Sequence, residues 1–282
     1  MLKKGNKLTI KYYNGSTYTN YSNELLDFGR DTVSLTLANT DFLYVGYFKS
    51  ISDLYAELST ANTTDTTFSV EYYNGTTWAD VSGLFDESNS FQRSGFISWN
   101  RNLSDEQKTT IDGDELFWYR LQPALTHSAS VLDGLNIVFA DDQDLKKEFF
   151  EISQYIPTGA NSHILTHLAV RDEIIQDIRR DGRFVLDNNT GYVEDIDAYD
   201  LLNIDQINQA ATYLALSKIF FNIADNGDAT DVYIYKRDQY MAKFKNAMQL
   251  FFLSIDTDND GQLDQEERAK SYTPTLARRW AT

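Results

Sequence analysis

The sequence predicts an α+β chain of two segregated domains, an antiparallel β-sandwich followed by a helical bundle. Three observations carry this expectation. Apolar residues alternate with period two up to about residue 140, they recur at helical spacing from Asp141 onward, and the segment Leu8–Asn20 returns at Phe68–Asp80. The expected division is residues 1–141 as the β-sandwich and residues 142–282 as the bundle.

Leu8–Tyr12, Val33–Leu37, Leu54–Leu58 and Leu135–Phe139 each alternate apolar and polar side chains, the pattern of a strand with one buried face. Phe42–Phe48, Phe96–Trp99 and Leu116–Leu121 are denser and aromatic, as in central strands. The repeat aligns LTIKYYNGSTYTN with FSVEYYNGTTWAD, with Tyr12/Tyr72, Tyr13/Tyr73, Asn14/Asn74, Gly15/Gly75 and Thr17/Thr77 identical. Asn-Gly between alternating segments predicts a hairpin with a type I′ turn, which needs positive φ at both central residues. A fainter continuation pairs Asp41–Tyr47 with Glu115–Leu121. The repeat reads as two small related β units or as one sandwich with a duplicated hairpin. Tyr13, Tyr18, Tyr73 and Trp78 sit near the hairpin tips. Exposed there, they would stack on sugars or anchor a protein; otherwise they are cross-strand pairs filling the sandwich.

In the second half, Leu145, Phe149 and Ile152 mark a first helix, after an acidic start that suits the helix dipole, and Pro157 ends that segment. Ser162 is the expected N-cap of a second helix that buries Ile164, Leu168, Ile174, Ile175 and Ile178 and stops at Gly182. Phe184–Asp200 reads as a loop or short hairpin. Asp205 caps a third helix reaching Gly227, and a fourth runs from Asp231 to Ile255, antiparallel to the third because the connection is short. The tail Lys270–Thr282 is a basic arm ending in Arg278, Arg279 and Trp280.

Between the fourth helix and the arm lies DTDNDGQLDQEE, Asp256–Glu267, which has the spacing of an EF-hand-like calcium loop. Asp256, Asp258 and Asp260 would each give a carboxylate oxygen, and Gln262 its backbone carbonyl. Asp264 would act through a water, and Glu267 would close the site with both oxygens. Gly261 permits the sharp turn. No second complete loop exists, so the expected role of Ca2+ is structural.

Composition narrows the rest. The 282-residue chain carries 25 basic and 42 acidic side chains, a formal charge of −17 spread over both halves, which repels polyanions at long range. It has no cysteine, which removes disulfides and thiolate chemistry. No run approaches the ~18 apolar residues of a membrane span, and Lys3 and Lys4 are not followed by a signal-length apolar run, so synthesis in a cytoplasm is expected. His163 and His167 share a helix face, but Ile164 stands where a zinc protease needs Glu, and no third ligand is evident. His127 lies in a loop near Pro123. No phosphate loop, dinucleotide fingerprint or nucleophile elbow is present, so no enzyme activity is expected.

Taken together, the YYNG repeat, SHILTHLAVRDEIIQDIR, INQAATYLALSKIFFNIAD and the long helix ending FFLSIDTDNDGQLDQEE resemble virion structural proteins of tailed bacteriophages. Over Leu145–Trp280 the chain resembles the head–tail connector (adaptor) proteins. That resemblance implies a non-enzymatic component of the virion neck, assembled in the host cytoplasm into a homo-oligomeric ring, usually a dodecamer, that joins the portal protein to tail or neck proteins. It implies that Arg278–Trp280 faces the portal, that DNA is only passing cargo, and that no membrane is bound. The β domain is an addition to a minimal adaptor, for decoration or for attaching a fibre protein. The alternative expectation is a carbohydrate- or surface-binding β-sandwich module of a virion.

Overall fold

A computed structural model describes residues 8–26, 31–102, 104–160, 162–181, 198, 204–225 and 231–250. The Asp256–Glu267 loop, the Lys270–Thr282 arm, the end of the predicted fourth helix and, apart from Ala198, Phe184–Asp200 lie outside the described residues. The chain divides into two compact units, Met1–Ile137 and Val138–Thr282.

The first unit is an antiparallel two-sheet sandwich. Its strands are β1 (Thr9–Tyr13), β2 (Tyr18–Asn20), β3 (Val33–Leu35), β4 (Phe42–Tyr47), β5 (Asp53–Thr60), β6 (Phe68–Tyr73), β7 (Trp78–Asp80), β8 (Ser82–Asp86), β9 (Gly95–Asn100), β10 (Lys108–Ile111), β11 (Asp114–Pro123) and β12 (Ser130–Asn136). One short helix, α1 (Ser22–Leu26), packs on β12 through the fully buried Leu25. The larger sheet runs β2-β1-β4-β11-β6-β7, with β10 paired to β11, and the smaller runs β3-β12-β5-β9-β8. Ile10, Leu43, Val45, Val70 and Leu121 of the larger sheet and Leu54, Ala56, Ile97 and Leu132 of the smaller are fully buried. Each large side chain so buried stabilises the fold by roughly 1.5–3 kcal/mol. Trp99 of β9 meets Tyr119 of β11 with ring centroids 5.0 Å apart, which identifies the inner face of each sheet. Leu135–Phe139 departs from its predicted strand: β12 starts earlier, at Ser130, and ends at Asn136.

The two Asn-Gly hairpins form where predicted, but the type I′ turn does not. Tyr13 pairs with Tyr18 and Tyr73 with Trp78, so each loop holds four residues. Only the glycine takes positive φ, +85° at Gly15 and +92° at Gly75. The asparagine instead turns its side chain inward: Asn14 Oδ1 accepts the backbone N–H of Ser16 and Thr17, and Asn74 Oδ1 those of Thr76 and Thr77. This Asx arrangement satisfies backbone donors that a two-residue turn would have paired across the strands.

Register extends the repeat. Tyr12 stands opposite Leu43, and its repeat mate Tyr72 stands opposite Tyr119. Leu43 therefore corresponds to Tyr119 and Tyr44 to Arg120, two residues beyond the alignment drawn from sequence. Because Tyr44 and Arg120 also pair with each other, a pseudo-twofold axis crosses the sheet between them. About it β1, β2 and β4 exchange with β6, β7 and β11.

The second unit is helical. Asp141 caps α2 (Asp142–Glu148) by accepting the N–H of Gln143 and Asp144, and Asp144 returns a carboxylate to the Asp141 N–H. A 3-10 turn follows at Phe150–Tyr155. Then come α3 (Ile164–Asp181), whose first N–H bonds Ser162 Oγ, α4 (Ile204–Asp225) and α5 (Asp231–Leu250). Tyr213 meets Tyr240, Ser217 Oγ donates to Arg237 O, and Phe220 stacks on Tyr233, so α4 and α5 run antiparallel. In α4 the fully buried Ala211, Leu214, Ala215, Leu216 and Phe220 make a central helix in contact with α2, α3 and α5.

Candidate functional site

The outer face of the larger sheet carries a contiguous group of aromatic side chains. Alternation sends Leu43, Val45, Tyr119 and Leu121 inward, so Phe42, Tyr44, Trp118 and Arg120 point outward. Pairing continues this face to Lys11 and Tyr13 on β1, Tyr18 on β2, Glu71 and Tyr73 on β6 and Trp78 on β7. A charged row crosses the middle, in the order Lys11, Tyr44, Arg120, Glu71. Aromatic corners flank it diagonally, Tyr18–Tyr13–Phe42 on one side and Trp118–Tyr73–Trp78 on the other.

Rings and charges lock one another. Tyr13 and Tyr18 lie 4.6 Å apart, and Tyr73 and Trp78 5.8 Å. Tyr18 and Trp78 both lean toward the axis, where they meet Tyr44 at 5.8 and 5.6 Å. The Arg120 guanidinium lies over Phe42 at 4.3 Å and over Trp78 at 4.6 Å, and its Nε donates to Glu71 at 2.6 Å. Lys11 is buried; its ammonium pairs with Asp114 at 2.6 Å and Asp112 at 3.2 Å and donates to the carbonyls of Ile111 and Asp112. Trp118 is buried over Gly46, with Nε1 donating to Asp114 O. Tyr13, Tyr18, Phe42, Tyr73, Trp78 and Arg120 stay half-buried, so part of each reaches the surface. Burial holds the Tyr18 and Tyr44 phenols above the ordinary range, so both stay neutral hydroxyls at physiological pH. The surface is rigid and amphipathic, with apolar ring faces, hydroxyl and indole edges, and internally paired charges.

Tyr13, Tyr18, Tyr73 and Trp78 are thus cross-strand pairs, as the structural expectation held, yet they sit on the outer rather than the core face. Phe42, Tyr44, Trp118, Arg120 and Glu71 join them without having been singled out by sequence. The signal that finds them is the repeat carried one strand further in the correct register.

The calcium residues Asp256, Asp258, Asp260, Gln262, Asp264 and Glu267 lie outside the described residues. His163 and His167 are buried, and each imidazole has a partner: His163 Nε2 lies 3.3 Å from Ile152 O, and His167 Nε2 3.0 Å from Asp142 Oδ1. Burial raises the Asp142 pKa, but the His167 hydrogen bond and the charges of both histidines outweigh it and hold the carboxyl below its usual value. Burial lowers His163. Asp142 belongs to α2 and therefore escaped a search by local spacing. The pair ties α2 to α3, and no group of three or more metal-ligating side chains occurs among the described residues. His127 packs against Phe68 at 5.1 Å and Phe91 at 6.0 Å, and neither ring nitrogen has a hydrogen-bond partner among the described residues. Burial lowers its pKa to about 4. Among the described residues no helix is long and apolar enough to cross a membrane.

No family model and no curated protein matches the chain. Two solved structures match in part. One, described as CpGH89CBM32-6 produced by Clostridium perfringens, is 15% identical with a TM-score of 0.29, covering 48% of this chain and 94% of that one. The other, a pectin binding carbohydrate binding module, is 12% identical with a TM-score of 0.23, covering 46% of this chain and 87% of that one. At these TM-scores neither match bears on function.

Proposed function

We propose that this chain is a non-enzymatic binding protein whose β unit takes carbohydrate on the outer face of the larger sheet. The observation that carries this reading is the contiguous, partly exposed array of Tyr13, Tyr18, Phe42, Tyr73 and Trp78 on one sheet face. Such rings offer flat apolar faces to the C–H faces of sugars, and their polar edges can bond sugar hydroxyls. Because the rings are already fixed by contacts with one another and with Arg120, little side-chain freedom is lost on binding. The test is a glycan array followed by calorimetry on wild type and on Trp78→Ala combined with Tyr18→Ala. Binding that falls at least tenfold in the double variant, with the fold retained by circular dichroism, supports the reading. A chain that binds no glycan, or a double variant that binds like wild type, refutes it.

A specific feature of the helical unit favours a second role beside the first. Phe150 is 88% exposed, Tyr235 68%, Leu165 62% and Phe221 50%. They lie one each on the 3-10 turn, α3, α4 and α5, and an assembly that covers them removes their apolar surface from water. This fits the neck reading, in which copies form a ring between the portal and tail proteins and the β unit faces outward. Light scattering of the chain alone and mixed with its portal protein tests it: a ring or a stoichiometric complex supports the neck role, and a monomer indifferent to the portal removes it.

A further inference from the structure

We infer that the β unit carries two carbohydrate half-sites, one at each aromatic corner, and so grips a repeating neutral polysaccharide at two places. The inference rests on the carbohydrate reading above and goes beyond it in number of sites, ligand charge and mode of binding.

The geometry comes from the pseudo-twofold axis. Operation of the axis takes Tyr13 to Tyr73, Tyr18 to Trp78 and Phe42 to Trp118; Trp118 is buried and Phe42 is not, so one corner presents Tyr13, Tyr18 and Phe42 and the other Tyr73 and Trp78. The backbones of Tyr13 and Tyr73 stand three strand spacings apart, roughly 14 Å, and four residues apart along the strands, roughly 13 Å, which separates the outer ends of the two corners by about 20 Å, while their inner rings, Tyr18 and Trp78, converge on Tyr44 at 5.8 and 5.6 Å. A short oligosaccharide seated against Tyr13 or against Tyr73 fills the outer part of one corner. A long chain, or neighbouring chains on a surface, can engage both.

The charges point to a neutral ligand. Lys11 is held by Asp112 and Asp114, and Arg120 by Glu71, so the cations that would attract an acidic sugar already have carboxylate partners. The whole chain carries −17, which repels acidic polysaccharide at long range. An uncharged glycan meets no such penalty and uses the ring faces and hydroxyls. Two sites on one rigid sheet then raise apparent affinity for a polymer by about a hundredfold or more over a short ligand, because the second contact is intramolecular.

The experiment uses the full chain, neutral gluco- and galacto-oligosaccharides of tri- and hexasaccharide length, and the matching polymers immobilised on a surface. The single-corner variants are Tyr13→Ala with Tyr18→Ala, and Tyr73→Ala with Trp78→Ala. Each is checked by circular dichroism, and conservative Tyr→Phe versions stand in if an alanine pair unfolds. The expected result is two trisaccharides bound per wild-type chain and one per single-corner variant, with polymer affinity falling about a hundredfold in either. One trisaccharide per wild-type chain, lost in one variant and untouched in the other, overturns the two-site inference and leaves the carbohydrate reading standing. Binding only to acidic glycans overturns the ligand assignment. If no glycan binds and both variants instead lose a protein partner, the carbohydrate reading falls with it.

Discussion

Replacing Gly46 by Ala tests the packing on which the aromatic face depends. A Cβ built at Gly46 meets three Trp118 ring carbons at 2.5, 2.6 and 2.8 Å. Ordinary carbon contacts begin near 3.5 Å, so the ring must retreat by about 1 Å. It is hemmed in by the Asp114 carbonyl on Nε1, the Lys11 ammonium 5.6 Å from a ring centroid and the Tyr44 ring at 6.3 Å. Overpacking of this kind costs about 1–3 kcal/mol. Gly46 is not in the left-handed region, so alanine should otherwise gain about 0.5–1 kcal/mol of backbone entropy. The expected net loss is about 1–2 kcal/mol. Trp118→Phe alone forfeits ring area and the Nε1 bond, also roughly 1–2 kcal/mol. In the double variant the new methyl occupies space the indole has left, so the losses should fall short of additive by about 1 kcal/mol. The repeat points to the same exchange, since Trp118 has Phe42 as its mate and Gly46 has Gln122, which carries a Cβ. Urea unfolding of the four proteins gives the cycle. A neutral Gly46→Ala, or a double variant equal to the sum of the singles, would refute the steric account.

Further outcomes follow from other buried groups. Lys11→Met keeps the apolar stem over Trp118 but takes the donor from two backbone carbonyls and the ion-pair partner from the half-exposed Asp112 and Asp114; a loss of about 1–3 kcal/mol in urea is expected, and no loss would show that the ammonium stabilises nothing. His127 has a folded pKa near 4, below its ordinary value of 6.5, so the unfolded chain binds the proton first. Its contribution is complete above pH 6.5 and is lost as pH falls toward 4, by roughly 1–2 kcal/mol, and His127→Phe should remove that slope from a pH series of melting temperatures. Asp53 behaves oppositely: burial raises its folded pKa to about 6, with the Ser52 hydroxyl and the Arg101 charge pulling back. Stability from this group rises as pH falls from 6 toward 4, so Asp53→Asn should stabilise the protein at pH 7 by about 1–3 kcal/mol and not at pH 4. Calcium at a hundred times its dissociation constant should stabilise the chain by about 2.7 kcal/mol, if the ion does not bind the unfolded chain. EDTA or Glu267→Gln should abolish that gain, and a melting temperature indifferent to both would leave Asp256–Glu267 an acidic turn.

Much of the fold was written in local patterns. Period-two runs marked β1, β3 and β5, and denser aromatic runs marked β4, β9 and β11, because each buries at least one face; helical spacing after Asp141 marked α2, which Asp141 caps. β8 and β10 escaped, since neither has a fully buried residue and so neither shows the alternation. The turn type was misjudged because the same Asn-Gly pair serves both a type I′ turn and the observed Asx loop, and only the number of residues between paired strands separates them. The aromatic corners were half legible. Tyr13, Tyr18, Tyr73 and Trp78 are neighbours in sequence, whereas Arg120 reaches Phe42 and Trp78 only through strand order.

The repeat fades where the two copies meet, and the register explains why. The hairpin loops Asn14–Thr17 and Asn74–Thr77 lie at the outer ends of the sheet, away from the pseudo-twofold axis, so Tyr-Tyr-Asn-Gly can persist in both. Residues near the axis face their own mates. Identical copies would place two arginines, or two tyrosines, directly opposite each other where Tyr44 and Arg120 now pair. Like charges directly opposite destabilise a sheet, and complementary groups favour it. The same holds one strand out, where Lys11 in one copy corresponds to Glu71 in the other, and each serves a different partner: Lys11 the turn carboxylates, Glu71 the new Arg120. Divergence therefore runs along β4 and β11, the strands on either side of the axis, as in Leu43/Tyr119, Tyr44/Arg120 and Gly46/Gln122. An alignment that slides by two residues also keeps every side chain on its proper face, so alternation could not correct it. Reverting the row tests this reasoning: Arg120→Tyr, which restores the mate's residue, removes the cation from between Phe42 and Trp78 and leaves Glu71 without its 2.6 Å partner. A loss of about 1–3 kcal/mol is expected, partly recovered by adding Glu71→Gln. If Arg120→Tyr alone proved neutral, complementarity across the axis would not be what drove the two copies apart.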